Sequence, residues 1–220
     1  MSTHHDENPL LEGLDLGRRP ESCALVIFGA SGDLTQRKLM PALYSLAIRG
    51  LLPEHFVVIG AARTPGTDDE FRAKMREAIE KYARDPFRED VWERLASGMR
   101  YAALDFSDET SENSLVRILS TVDAEYGTQG NRVFYFAVPP NAIGTLVTEL
   151  AARRTAEGWV RLIIDKPFGN DLASARALNE LIAARFSERE VYRIDHYLGK
   201  ETVRSEEHTS ELQSPMYLVC

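Results

Sequence analysis

A chain of 220 residues, 44% hydrophobic and 27% charged, is long enough to bury a real core in one large domain, or in one domain and part of another. Its formal net charge of −8 argues against a general nucleic-acid binder, and it means that a phosphorylated ligand must be met by a local cluster of cations. Cys23 and Cys220 offer neither a disulfide framework nor metal spacing and fit a reducing, cytoplasmic setting, and no run approaches the ~20 apolar residues of a membrane span.

Residues 1–22 are polar and acidic, without the basic start and apolar stretch of a signal peptide, and read as a disordered leader. The adjacent His4 and His5 in that leader are no more than a weak metal ligand, and no metal site is expected. Cys23-Ala-Leu-Val-Ile-Phe-Gly29 is a short apolar run ended by glycine, as a buried parallel strand is. A helix is expected over 36–48, with Leu39, Leu43, Leu46 and Ala47 on one side and Gly50 as its stop. Phe56-Val-Val-Ile-Gly60 is the next strand, which completes a strand, turn, helix, strand unit.

The alternation continues. Helices are expected over 68–83, 90–96, 114–126, 143–153 and 172–186, and strands over 99–104, 132–138, 161–165 and 191–194. Pro139-Pro140 closes the 132–138 strand. Strands alternating with helices predict an α/β fold, a doubly wound, Rossmann-like parallel sheet covered on both faces. Ligands of such sheets sit beyond the carboxyl ends of the strands, where Gly29, Arg63, Pro139 and Lys166 all fall.

Gly29 and Gly32 stand where a dinucleotide needs them. One lets the chain leave the strand tightly, the other lets backbone approach a pyrophosphate at a helix start. The spacing is G-x-x-G and not G-x-G-x-x-G, so the two glycines taken alone fit a plain turn equally well. No Gly-Lys-Ser/Thr follows, which sets a P-loop aside. At the end of the second strand, where NAD sites usually place an acid, stands Arg63, which suits a 2′-phosphate and so favours NADP; a solvated surface arginine is the other reading. Arg37 and Lys38 lie near the turn in sequence and either reach phosphate or face water. Arg193-Ile-Asp-His-Tyr-Leu-Gly-Lys-Glu201 concentrates an acid, an imidazole, a phenol and an amine; by composition a phosphate site and a surface loop of mixed polarity stand level.

This last stretch closely resembles the active-site signature of glucose-6-phosphate dehydrogenases. Four further segments resemble that family in the right order: Gly29-Ala-Ser-Gly-Asp-Leu-Thr with Arg37-Lys-Leu-Met-Pro-Ala-Leu-Tyr44, Gly60-Ala-Ala-Arg63, Asn131-Arg-Val-Phe-Tyr-Phe-Ala-Val-Pro139-Pro140, and Asp165-Lys-Pro-Phe-Gly169. The similarity runs from about Cys23 to Val203, and Asp165 stands where the family often has glutamate. The resemblance implies oxidation of D-glucose 6-phosphate by NADP to 6-phospho-D-glucono-1,5-lactone, in the pentose phosphate pathway. It implies that Gly29, Ala30, Ser31, Gly32, Asp33, Leu34, Thr35 and Gln36 cradle the pyrophosphate and that Arg63 takes the 2′-phosphate. Asp105 and Phe106 are placed near the adenine. Lys166, positioned with the help of Pro167, touches substrate and coenzyme, and His196, Tyr197 and Lys200 bind the sugar phosphate. Asp195 orients a catalytic histidine that, by the same resemblance, belongs to a downstream α+β domain and is absent from this chain.

The expected organisation is a leader over 1–22, a coenzyme domain over 23–194, the start of the truncated substrate domain over 195–203, and a non-native tail over 204–220. That tail has no likeness to the family and reads like a translated sequencing adapter. The fragment is then expected to bind NADP without turnover, while the full-length enzyme is expected to be a homo-oligomer. Two other readings remain: an NADP-dependent oxidoreductase of another family, which would have no reason to carry the 195–200 motif, and a non-catalytic NADP-binding module.

Overall fold

A computed structural model describes residues 20–104, 109–154, 157–169 and 171–194. Asp105, Phe106, Asp195, His196, Tyr197, Lys200, the leader up to residue 19 and the 204–220 tail lie outside the described residues.

Six strands form one parallel sheet in the order β3-β2-β1-β4-β5-β6. They are β1 (Cys23–Phe28), β2 (Phe56–Ala62), β3 (Met99–Ala103), β4 (Arg132–Phe136), β5 (Val160–Asp165) and β6 (Val191–Ile194). All six residues of β1 are buried, as the middle of a doubly covered sheet requires. Alternate residues of β1 feed two cores. Ala24, Val26 and Phe28 face the side packed by α4 (Glu109–Tyr126), α5 (Pro140–Ala152) and α6 (Leu172–Ala183). Leu25 and Ile27 face the side packed by α1 (Met40–Ile48), α2 (Asp68–Tyr82) and α3 (Glu89–Ser97). The chain therefore winds away from β1 in both directions, and the strand order reverses between β1 and β4.

Every expected strand and helix is present, with shifted ends that have physical causes. Pro41 has no N–H to give the carbonyl of Arg37, and its ring crowds that oxygen. The run expected as one helix over 36–48 accordingly begins as a wider π-helical turn, Thr35–Leu39, in which the Met40 N–H donates to the Thr35 carbonyl, and then continues as α1. Pro140 opens α5 and does not separate strand from helix, because a first-turn proline has the helical φ and its missing N–H would have had no partner. α6 ends at Ala183, and Phe186 folds back into the core, its N–H on the Ile182 carbonyl at 2.8 Å.

Helix α2 starts with a reciprocal cap: the Glu70 N–H donates to the Thr67 hydroxyl at 3.2 Å and the Thr67 N–H to the Glu70 carboxylate at 2.8 Å. It packs on β2 through a missing side chain. A Cβ at Gly60 would lie 2.5 Å from the Phe71 ring, so glycine is what lets that ring approach the strand. Gly60→Ala is expected to cost about 1–3 kcal/mol by overpacking, and Phe71→Leu in the same chain should recover part of it. Strictly additive losses in urea unfolding would show that the Gly60–Phe71 contact is not the cause.

Candidate coenzyme cleft

The reversal of strand order leaves a crevice at the carboxyl ends of β1, β2 and β4, and there a cleft of about 650 Å³ opens. Its floor is the turn after β1. Gly29 takes φ +84, and a Cβ there would stand 2.1 Å from the Ala137 carbonyl oxygen, so no other residue fits between the ends of β1 and β4. The turn is tied to both neighbouring strands: the N–H groups of Gly29 and Ala30 donate to the Ala61 carbonyl at 2.9 and 3.2 Å, and the Ala137 N–H donates to the Phe28 carbonyl at 2.9 Å. The backbone of Gly32 then closes onto the Gly29 carbonyl at 2.9 Å.

The residues implied as a pyrophosphate cradle divide by position. Gly29, Ser31 and Gly32 line the cleft. Ala30 and Thr35 are wholly buried beneath it, and the Thr35 hydroxyl donates to the Gly29 carbonyl at 3.3 Å. The Gln36 side-chain amide donates to the carbonyls of Ser31 and Gly32 at 3.0 and 3.2 Å, which turns those carbonyls toward the helix. Asp33 faces solvent opposite Arg37 at 3.5 Å, and Leu34 packs on the core. These five shape the turn from outside the cleft.

Arg63 and Thr64 form the β2 side of the cleft. Arg63 is exposed and makes no ion pair among the described residues. No acidic residue is among the described lining residues, in a chain whose net charge is −8. This is the local positive setting that a phosphorylated ligand requires. Of the cations that the sequence placed near the turn, Arg37 instead pairs with Asp33 and lies over the Tyr82 ring, its guanidinium carbon 5.4 Å from the centroid, and neither Arg37 nor Lys38 lines the cleft.

The β4 side comes from residues that the sequence reading did not single out as a site: Ala137, Val138, Asn141, Ala142, Thr145 and Leu146. Pro139-Pro140 sets α5 directly after the strand, so its first turns overhang the crevice. Asn141 and Thr145, four apart in a mostly apolar helix, carried the readable signal of a polar stripe on one face.

Lys166 lies one strand beyond β4, at the exposed end of β5, outside the cleft lining. Its N–H donates to the Ile194 carbonyl at 3.1 Å, and the Lys166–Pro167 bond is cis. The ends of β5 and β6 thus stand side by side, with Asp195 next in the chain after Ile194. Below this corner the Tyr135 phenol is pushed up to about 12, by burial first and then by the Asp165 carboxylate, so it stays protonated at neutral pH.

At the opposite, amino-terminal, end of the strands Asn131 binds three segments together. Its amide donates to the Ser22 carbonyl at 3.0 Å and its side-chain oxygen accepts the Trp159 N–H at 3.1 Å. The neighbouring Arg132, 8% exposed, forms an ion pair with Asp123. The Asn131-Arg132 part of the family-like segment therefore holds the sheet together, far from the cleft.

Comparison with known proteins gives the same answer from several directions. The family model "Glucose-6-phosphate dehydrogenase, NAD binding domain" matches residues 26–205. A protein of Mycobacterium tuberculosis named glucose-6-phosphate 1-dehydrogenase 2 is 45% identical over 204 residues, which is 90% of this chain and 40% of that protein. The glucose-6-phosphate 1-dehydrogenase of Chlamydia muridarum is 44% identical over 191 residues, 83% of this chain and 38% of that one. Among solved structures, a glucose-6-phosphate dehydrogenase in complex with its substrate glucose-6-phosphate superposes with a TM-score of 0.74 at 34% identity, over 86% of this chain and 39% of that chain. The chain spans about 40% of the length of the curated relatives it matches. The parallel sheet, the cleft at its reversal point and these likenesses agree, and the chain belongs to the glucose-6-phosphate dehydrogenase family, whose coenzyme-binding domain it carries.

Proposed function

We propose that this chain is the coenzyme half of an enzyme that oxidises D-glucose 6-phosphate at C1 to 6-phospho-D-glucono-1,5-lactone, with NADP as the acceptor. The observation that carries the reading is the cleft itself: a backbone floor that admits no Cβ at Gly29, a cation at the end of β2, and no acid among its described lining residues. These features fit a dinucleotide with a 2′-phosphate. The floor between Gly29 and Gly32 would hold the pyrophosphate, and Arg63 the 2′-phosphate. Bound NADP would supply the hydride acceptor.

The other roles rest on the family likeness together with the placement of Lys166. With the ends of β5 and β6 joined at Lys166 and Ile194, the Lys166 amine and the following Asp195, His196, Tyr197 and Lys200 are proposed to form one phosphate-binding corner. Lys166 bridges sugar and coenzyme, His196, Tyr197 and Lys200 hold the sugar phosphate, and Asp195 orients the histidine base. The domain limits proposed are 23–194 for the coenzyme domain and 195–203 for the start of the substrate domain, with 204–220 foreign to the family. Among the described residues no helix is long and apolar enough to cross a membrane. A cytoplasmic, homo-oligomeric full-length enzyme is proposed by likeness to the family.

Calorimetric titration of the chain with NADP and, separately, NAD tests the cleft. Arg63→Ala is expected to weaken NADP by about 10- to 100-fold, the worth of a hydrogen bond to a charged group, and to leave NAD within about two-fold. Equal losses for both dinucleotides would remove Arg63 from the 2′-phosphate. Failure of the folded chain, as judged by circular dichroism, to bind either would remove the dinucleotide from the cleft.

A further inference from the structure

A second cation stands beside the cleft, outside its lining residues, and comes from an unexpected place. Lys74 lies in the middle of α2, 43 residues from the turn, and its amine donates to the Ser31 carbonyl at 3.4 Å. Ser31 lines the cleft. The helix is well placed for this. α2 packs against the π-helical turn that follows the phosphate loop. Its buried face is set by Phe71, Met75, Ala78 and Ile79, and Lys74 falls three residues after Phe71 and four before Ala78, at the border of that face.

The local charges leave Lys74 available. Glu70, one turn earlier, is the natural partner at i,i+4, but its carboxylate is held by the Thr67 N–H and hydroxyl at 2.8 and 3.1 Å in the helix cap. Lys74 makes no ion pair among the described residues. An ammonium group has three donors, and the contact to a neutral carbonyl, at the long end of hydrogen-bond range, is easily exchanged.

We infer that Lys74 is a second specificity-determining cation of this cleft, which binds the 2′-phosphate of the dinucleotide from the α2 side while Arg63 binds it from the end of β2. Ser31 belongs to the turn after β1 and Arg63 to the end of β2. The space between these two turns is where a Rossmann-like sheet holds the adenosine ribose. A 2′-phosphate there lies between the Arg63 guanidinium and a long amine that gives up the Ser31 carbonyl for a charged oxygen. The inference rests on the NADP reading above and adds a residue that the sequence around the turn does not reveal.

The test is titration of the full chain and two variants, Lys74→Met and Lys74→Arg, with NADP and with NAD, beside Arg63→Ala. Lys74→Met keeps the length and apolar stem of the side chain on an exposed helix position, so folding should be unchanged, and matching melting curves check that. The expected result is a loss of about five- to ten-fold for NADP in Lys74→Met, no more than about two-fold for NAD, and near wild-type NADP binding in Lys74→Arg. A selective loss in Arg63→Ala with no selective loss in Lys74→Met overturns the inference and leaves the NADP reading standing. Equal losses for both dinucleotides in Lys74→Met also overturn it, since Lys74 would then act only by shaping the loop through Ser31. If wild type binds NADP no better than NAD and Arg63→Ala changes neither, the NADP reading fails first and the inference with it.

Discussion

Gly29→Ala is expected to lower the thermal midpoint by roughly 6–12 °C and to abolish measurable dinucleotide binding. The added methyl meets two penalties at once. At φ +84 an L-residue is strained by about 1–3 kcal/mol. Its Cβ would also stand 2.1 Å from the carbonyl oxygen of Ala137 and 2.8 Å from that carbonyl carbon, which are backbone atoms that no rotamer change can move. Relief requires the ends of β1 and β4 to part, and that breaks the hydrogen bond from the Ala137 N–H to the Phe28 carbonyl and deforms the cleft floor. The total is about 3 kcal/mol or more. Gly32→Ala is the informative control. A Cβ there would meet only the Gly29 carbonyl, at 3.0 Å, with no φ penalty, and Gly32 lines the cleft. It should change the melting midpoint little while weakening NADP and NAD alike. If Gly29→Ala melted with wild type, the tight approach of β1 to β4 would be wrong.

Asp123→Ala is expected to cost about 3–4 kcal/mol, because it leaves the buried Arg132 guanidinium without its counter-charge. The same carboxylate accepts the Thr128 hydroxyl and, at 3.0 Å, the Gly130 N–H, so one substitution also frees the turn that leads into β4. The pH dependence has a definite sign. Burial works to raise the Asp123 carboxyl, but hydrogen bonds from Arg132, Thr128 and the Gly130 N–H outweigh it and hold the group below the ordinary carboxylate range. A carboxyl depressed in the folded state adds stability above its unfolded value of about 3.9, and the contribution disappears as pH falls through the lower folded value. The stability gap between wild type and Asp123→Ala, measured by urea unfolding, should therefore be full at neutral pH and narrow below about pH 4. A gap of the same size at pH 3 and pH 7 would show that the loss comes from packing and not from the ion pair.

Much of the architecture was legible because it is written in local patterns. The apolar runs of β1, β4 and β5, the helical spacing of α2, and the glycine that closes β1 each follow from which residues can be buried on two faces of a sheet. Element ends were less legible wherever a proline had two uses. Pro140 stops a strand or starts a helix equally well by sequence, and the neighbouring strand decided the matter: β1 ends at Phe28, so β4 has nothing to pair with beyond Ala137, and the chain is free to turn into α5. Pro41 lies inside the run that reads as one helix over 36–48, and its missing N–H shows its effect only in the structure, as the π-helical turn Thr35–Leu39 before α1.

For the cleft, the sequence by itself determined the floor and one wall: Gly29 and Gly32 after the first strand and Arg63 after the second, since both follow from counting along one βαβ unit. It also carried, in the segments from Gly29 to Glu201, the family likeness that the comparisons bear out. The tertiary structure decided which cations stand at or beside the cleft. Arg37 and Lys38 are near the turn in the chain but belong to its outer side, while Lys74, outside the lining, comes within hydrogen-bond reach of the Ser31 carbonyl from 43 residues away because α2 packs beside the loop. It also decided that the opposite wall is the start of α5, with Asn141 and Thr145, through the reversal of strand order between β1 and β4. The reason is the same in each case. A local pattern reports what one segment buries, whereas a binding site is assembled where the ends of separate strands meet, and that meeting is set by the order in which strands pair across the sheet.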